Sequence, residues 1–264
     1  MIIGCGGQGA KADQLGSGNE YKIISFAHAF KVHKNTDEII FVDKNLEKAQ
    51  EASETWGCVY SGTIKDAFDD YKPYMPHIAV VSTNDEQHYE ILKQLANYPL
   101  KLVICEKPLC TDLQQAQEIV ELYKQKNIPL MVDNTRNFIP ELRSLTKEHG
   151  KAISGYALFN RGLLHSATHI FGFFRMLRCD NYKIRELDKL DFRVWILSIT
   201  FEDGFIWSEE RITNDMPVPD IYSNHMWYIV ENAYNFLEGK EPLFYTGEEA
   251  SKDIEECYKL MGAN

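Results

Sequence analysis

No apolar run in this sequence approaches the roughly 18–20 residues that a membrane-spanning helix needs. There is no basic excess either: 39 acidic residues outnumber 28 basic ones, for a formal net charge of −11. Without a basic face, neither a nucleic acid nor an anionic membrane is an expected partner. The six cysteines, Cys5, Cys58, Cys105, Cys110, Cys179 and Cys257, are scattered and form no C-x-x-C pair. That scatter suits free thiols in a reducing compartment better than a disulfide framework or a zinc site. The opening M-I-I-G-C-G-G-Q-G-A goes straight into a glycine-rich turn and does not read as a signal peptide, having no basic stretch and no long apolar segment. Repeats and low-complexity tracts are lacking as well. Together these absences point to a cytoplasmic protein.

What is present suffices for a large core. The chain has 264 residues, 44% of them hydrophobic and 12% aromatic, which fits one large domain or two smaller ones. Its first half alternates short Val/Ile-rich runs (MII, IIFVD, IAVVST, LKLVICEKP, PLMVDNT) with helical patterns (ISFAHAFKVH, LEKAQEASETWG, HYEILKQLANY, DLQQAQEIVELYKQKN). Such alternation predicts β-α-β units and a parallel sheet. Gly57 suits the position just past a helix end, and Asp112 stands near a helix start. The second half predicts longer strands: AISGYALFN, then DFRVWILSITFEDGFIWSEE, with a hairpin turn at Glu202-Asp203-Gly204. Between them lies a strongly apolar helix, HIFGFFRML, and two more helices close the chain. The boundary between the halves falls near residue 135. The expected fold class is α/β, with a parallel sheet in the first half and longer strands in the second.

Two stretches carry chemistry. Gly4 to Gly9 read G-C-G-G-Q-G directly after the first strand. Gly4, Gly6, Gly7 and Gly9 permit a tight turn in which backbone N–H groups, with Gln8 beside them, approach a pyrophosphate. Asp43 ends the next strand, where a carboxylate accepts hydrogen bonds from ribose hydroxyls and favours NAD, although Lys44 beside it tolerates a 2′-phosphate. The spacing is discordant, because that acid usually follows about 20 residues on. Here the segment KADQLGSGNEYK reads as an insertion between turn and helix. The second stretch is I-C-E-K-P-L-C at 104–110. Glu106 and Lys107 close a strand at the carboxyl end of a parallel sheet, where such folds bind ligands; a salt-bridged strand end is the plain alternative.

In order along the chain, the glycine turn, FVDKNLEKAQEASETWG, VSTNDEQHYEILKQLA, E-K-P at 106–108, NTRNFIPELRSL and the helix ending in His169 resemble the Gfo/Idh/MocA oxidoreductase family. The resemblance spans residues 1 to about 178. It implies an NAD(P)-binding Rossmann domain over 1–134. The resemblance implies that an α+β domain on a mostly antiparallel open sheet, for substrate and oligomerisation, follows over 135–264, shorter than is usual there. It implies that Ser82, Thr83, Asn84 and His88 line the cofactor and that Glu106 and Lys107 lie beside the nicotinamide. Arg136 matches a frequent arginine, while Asn137 stands where a second arginine is frequent. The helix of the family carries Asp-x-x-x-His with the histidine as base. His169 matches that base, His165 replaces the aspartate, and Gly172 stands where a later Asp is common.

His165 and His169, four apart in GLLHSATH, lie one helical turn apart. A metal site needs a third ligand; His225 and Asp220 are candidates unsupported by spacing. His28 and His33 read as surface residues of the first helix, the aromatics of HIFGFFRML as core, and the acidic run Glu248 to Glu256 as a solvated helix face. The expectation is an NAD- or NADP-dependent oxidoreductase acting on a sugar, nucleotide sugar or polyol. Lys107 would stabilise the oxyanion, His169 would move the proton, and Arg136, His165 and His169 would touch substrate. A homo-oligomer is expected from the resemblance. The alternative is a catalytically inactive dinucleotide-binding sensor or partner-binding protein of the same fold.

Overall fold

A computed structural model describes residues 1–11, 22–71, 75–188, 190–212 and 220–262. The inserted segment after the glycine turn lies mostly outside the described residues. Six short strands build the first sheet: β1 (Ile2–Ile3), β2 (Ile40–Val42), β3 (Val59–Ser61), β4 (Ile78–Val81), β5 (Leu102–Glu106) and β6 (Leu130–Asp133). All neighbours are parallel, in the order β3-β2-β1-β4-β5-β6. The order reverses between β1 and β4, and an open parallel sheet binds its ligand in the crevice at that reversal. β4, β5 and β6 are buried along their whole length, in keeping with apolar runs interrupted only by Glu106 and Asp133 at the ends of β5 and β6.

The helices of this half are α1 (Phe26–Val32), α2 (Leu46–Trp56), α3 (Ile64–Asp69), α4 (His88–Leu95) and α5 (Leu113–Lys126). Their ends follow sequence chemistry. The Asn45 side chain accepts from the Glu47 N–H, and the Asp112 side chain accepts from the Gln115 N–H. Gly57 closes α2 in the left-handed region. β3 and α3 are elements the apolar pattern does not announce, because V-Y-S is short and half exposed.

The second half adds α6 (Pro140–His149), β7 (Ala152–Phe159), α7 (Leu163–Met176), β8 (Tyr182–Glu186), β9 (Trp195–Phe201) and β10 (Ile206–Arg211). This sheet runs β10-β9-β7-β8, with β9 antiparallel to both of its neighbours and β8 parallel to β7. Its inner face and α7 share a core of Phe159, Phe173, Phe174, Leu197, Ile199 and Phe201. The chain ends with α8 (His225–Leu237) and α9 (Gly247–Leu260), which return to the first sheet. Met226, Ile229 and Val230 of α8 and Ile254 of α9 join the hydrophobic core of the parallel sheet. Tyr245 and Thr246 bridge β6, with the Val132 N–H donating to the Tyr245 carbonyl at 3.1 Å, so the edge of that sheet is covered.

This return corrects two surface readings. His33 is buried: its ring stacks on Tyr234 of α8 at 4.1 Å and lies 3.0 Å from the Glu231 carboxylate. In the acidic run, Asp253 is fully buried between the Arg175 guanidinium and the Tyr245 hydroxyl, which joins α9 to α7. Burial drives its carboxyl up to about 6, against the pull of Arg175. Neither position is exposed because the face of the helix that carries it is covered by an element distant in sequence.

Candidate active site

At the sheet reversal, Gly4 follows β1 at φ +93°. A Cβ there would collide with the Ser82 backbone, and one at Gly9 would collide with the Gly4 carbonyl. Those two glycines are required by the protein's own packing. At Gly6 and Gly7 an added Cβ would meet nothing within 4 Å. Their bareness leaves an open cradle over a turn that tightens into a π-helical stretch, Gly7–Lys11, and the residues present fit a dinucleotide phosphate. The Trp56 indole N–H donates to the Ala10 carbonyl at 2.9 Å and anchors the far side of the turn. Asp43 is partly committed: one carboxylate oxygen accepts the Cys5 N–H and the other the Asn45 N–H, both at 2.9 Å. It pins the glycine turn and keeps one lone pair per oxygen for a further donor. Lys44 is exposed beside it.

Ser82, Thr83 and Asn84 follow β4 on the other side of the reversal. Ser82 and Thr83 are half-buried, Asn84 is exposed, and the Thr83 hydroxyl has no hydrogen-bond partner. His88 lies differently. It is fully buried, with Nδ1 2.8 Å from the Pro108 carbonyl and Nε2 3.2 Å from the Thr83 carbonyl. It therefore staples the loops that follow β4 and β5, and burial lowers its affinity for a proton.

Glu106 ends β5 beside Asp133 at the end of β6, and both are buried. Burial, and then the neighbouring Asp133, push the Glu106 carboxyl well above the ordinary carboxylate range. Burial also raises Asp133. The Gln8 amide, with its nitrogen turned toward Glu106, donates to both carboxylate oxygens and ties the glycine turn to β5. Asp133 went unremarked in the sequence; its only signal there is an acid at the end of an apolar strand.

Lys107 emerges from this acidic strand end and reaches α7. Its Nζ lies 3.1 Å from His165 Nδ1 and 3.4 Å from the His165 carbonyl oxygen. Asp85, on the turn after β4, approaches His165 at 4.0 Å and supplies a carboxylate that the helix itself lacks. Burial lowers the Lys107 pKa, opposed by Glu106, Asp85 and Asp133. His165 is lowered by partial burial and then by Lys107. One turn on, His169 is lowered well below the ordinary histidine range by burial, then by Lys107, Arg136 and His165. Its Nδ1 is buried without a partner. Neutral imidazoles beside an ammonium are the expected result of that crowding.

His165 and His169 open onto a cavity of ≈ 190 Å³ that Arg136, Arg161, Arg193, Arg211, Glu209 and Trp195 also line. Arg136 is buried there, 2.7 Å from Glu209 and stacked at 4.7 Å over Trp195. Glu209 also accepts the Tyr222 hydroxyl at 2.6 Å and pairs with Arg211 at 3.0 Å. Burial alone would raise the Glu209 carboxyl, but Arg136, the Tyr222 hydroxyl and Arg211 together hold it below the usual range. Apart from Arg136, these β-sheet residues carry no local motif, so their convergence was invisible in the sequence.

The two further departures from the family pattern meet. The Asn137 amide donates to the Gly172 carbonyl at 3.3 Å, and the Asn134 amide donates to the Thr168 carbonyl at 3.0 Å. A side chain at 172 would occupy the place of the Asn134 amide. Gly172 and the two asparagines thus let α7 press directly onto the turn after β6.

A six-stranded parallel sheet with a glycine turn at its reversal is a dinucleotide-binding fold of the Rossmann type. The Gfo/Idh/MocA profile, described as an oxidoreductase family with an NAD-binding Rossmann fold, matches residues 2–134. The chain belongs to that family. A protein described as an oxidoreductase, YceM of Salmonella typhimurium strain LT2, is 29% identical over 108 residues. That match covers 41% of this chain and 33% of YceM, so the chain aligns with about a third of that relative's length. Solved structures share the whole fold. One described as a myo-inositol dehydrogenase from Sinorhizobium meliloti 1021 superposes with a TM-score of 0.77 at 12% identity, covering 99% of this chain and 95% of that one. GenD2 from gentamicin A biosynthesis, in complex with NAD, gives 0.74 at 12% identity over 99% and 92%. UDP-N-acetylglucosamine 3-dehydrogenase GnnA from Acidithiobacillus ferrooxidans gives 0.71 at 11% identity over 99% and 96%.

Proposed function

We propose that the chain is an NAD(P)-dependent dehydrogenase that interconverts a secondary alcohol and a carbonyl on a small hydroxylated substrate of the sugar or polyol kind. One juxtaposition supports this reading most: Lys107 at the carboxyl edge of the nucleotide sheet contacts His165 on α7, one turn before an uncharged His169. When bound, the nicotinamide supplies a two-electron acceptor or donor. The residues around it manage the proton. His169, neutral because burial and cationic neighbours disfavour its charged form, accepts the proton of the reacting hydroxyl. The Lys107 ammonium stabilises the oxygen as negative charge develops on it, and His165 holds that ammonium in place. In the reverse direction His169, once protonated, returns the proton. Residues 1–134 bind the cofactor in this reading, and 135–264 supply α7 and the substrate side. NAD is favoured over NADP by Asp43.

The test is turnover of a panel of sugars, polyols and nucleotide sugars, followed by the absorbance of reduced nicotinamide with NAD and with NADP. The expected result is activity with at least one member, falling by about 10²–10⁴-fold in both Lys107→Ala and His169→Ala. Tight NADH binding with no turnover on any member would replace this reading by that of a dinucleotide-binding sensor.

A further inference from the structure

The chain contains eight arginines, and none precedes Arg136. Four of them, Arg136, Arg161, Arg193 and Arg211, line the single ≈ 190 Å³ cavity that also holds His165 and His169. In a protein of net charge −11 this is a local inversion of sign. Among the described lining residues Glu209 is the one carboxylate, and it is shared by Arg136 and Arg211. Arg136 and Arg211 thus set two guanidiniums against the one carboxylate of Glu209, a positive surplus on the buried side of the cavity, while Arg161 and Arg193 are exposed. The crowding is felt within the cluster: after partial burial, Arg161 and Arg211 weaken the hold of Arg193 on its proton. Three N–H donors of the lining, Arg136 Nε, Arg211 Nε and Trp195 Nε1, are buried without a partner. Unsatisfied buried donors are costly unless something accepts from them.

We propose that the substrate is a small hydroxylated anion whose carboxylate or phosphate is seated on this arginine cluster. The inference rests on the dehydrogenase reading and narrows its substrate. Guanidinium groups present planar pairs of donors that match carboxylate and phosphate oxygens two at a time, which suits arginine rather than lysine at Arg136 and Arg211. A neutral hydroxyl needs no such surplus. Arg136 and Arg211 are held by Glu209 and by stacking on Trp195 and Tyr222, so their forks are preorganised. Arg161 follows β7 and Arg193 precedes β9, bringing charge from separate segments to the same cavity. Its volume lies below the roughly 300–1,000 Å³ of pockets for larger ligands, so a single charged sugar ring fits the space better than a nucleotide sugar does.

The experiment is calorimetric titration of the whole chain, with and without NADH, by glucose, glucuronate, glucose 6-phosphate and inorganic phosphate, at low and high salt. The expected result is that glucuronate or glucose 6-phosphate binds at least about 10-fold tighter than glucose and that high salt erodes this advantage. The charged-to-neutral affinity ratio should fall about 10-fold or more in Arg193→Gln and in Arg211→Gln. Thermal unfolding confirms that each variant is folded, and the salt dependence of the unaltered protein needs no variant. A preference for glucuronate assigns the group as a carboxylate, and a preference for glucose 6-phosphate assigns it as a phosphate. Glucose binding as tightly as both anions, or a charged preference untouched by salt and by both variants, overturns the proposal. Arginine-dependent anion binding without cofactor turnover would sink the dehydrogenase reading and leave the anion site standing. Turnover of neutral polyols with no charged preference would do the opposite.

Discussion

His169 sits among Lys107, Arg136, His165 and His225, all of which disfavour its charged form after burial has already done so. For a base with a lowered folded pKa, the unfolded chain binds the proton more readily between the folded value and about 6.5. This group's contribution to stability is therefore complete above that window and is lost as pH falls through it. The same depression keeps His169 ready to accept a proton at mildly acid pH, so the acid limb of kcat/KM should lie below about pH 6.5. His165→Asp replaces a neutral imidazole with an anion, in contact with the Lys107 ammonium. It should move that limb upward, by about one unit if the aspartate sits where His165 does. A pH–rate profile checks this, and NMR titration of the His169 ring gives the same answer without turnover. An unmoved limb would mean that burial alone sets the proton affinity of His169.

At the scale of elements, α7 connects everything in the site. It carries both histidines, packs its phenylalanines into the second sheet, and lies against the turn after β6 through Gly172. Glycine in a helix interior ordinarily costs about 1 kcal/mol relative to alanine, so Gly172→Ala would stabilise an isolated helix. In this fold the added methyl meets the Asn134 amide, which is buried and bonded to the Thr168 carbonyl. The clash outweighs propensity, and a net loss of about 1–3 kcal/mol is expected. Chemical denaturation measures it; a stabilised variant would show that Asn134 moves aside freely. The link from α7 to α9 through Arg175 and Asp253 has the same character, a polar contact buried between elements far apart in sequence.

Over the whole molecule, the chain passes from the parallel sheet to the second sheet and back, so α8 and α9 brace the nucleotide half. The second sheet has α7 on its inner face. On the outer face, Tyr156 and Ile206 are 41% and 58% exposed, in rows with Ser198, Ser208 and Thr200. The homo-oligomer expected from the family resemblance is predicted to use this face. Tyr156→Glu should then convert an oligomer into monomer with its unfolding temperature little changed, as light scattering after size exclusion would report. An oligomer that survives the change would place the interface elsewhere.

The parallel half was legible because its strands are buried on both faces and its helices carry their own caps, so local chemistry and tertiary role agree at Asn45, Gly57 and Asp112. The glycine turn, E-K-P and GLLHSATH stood out because each is contiguous, and the fold brings Lys107 against His165. What the sequence by itself determined was the parallel sheet and the family. Tertiary structure alone decided that His88 is a buried staple, that Asp133 raises Glu106, that Asp85 stands beside His165, that Asp253 is core, and that four arginines from separate segments face one cavity. The physical reason is range. Caps, turns and periodic burial are set within a few residues, whereas charge and burial at a point depend on whatever the fold brings there.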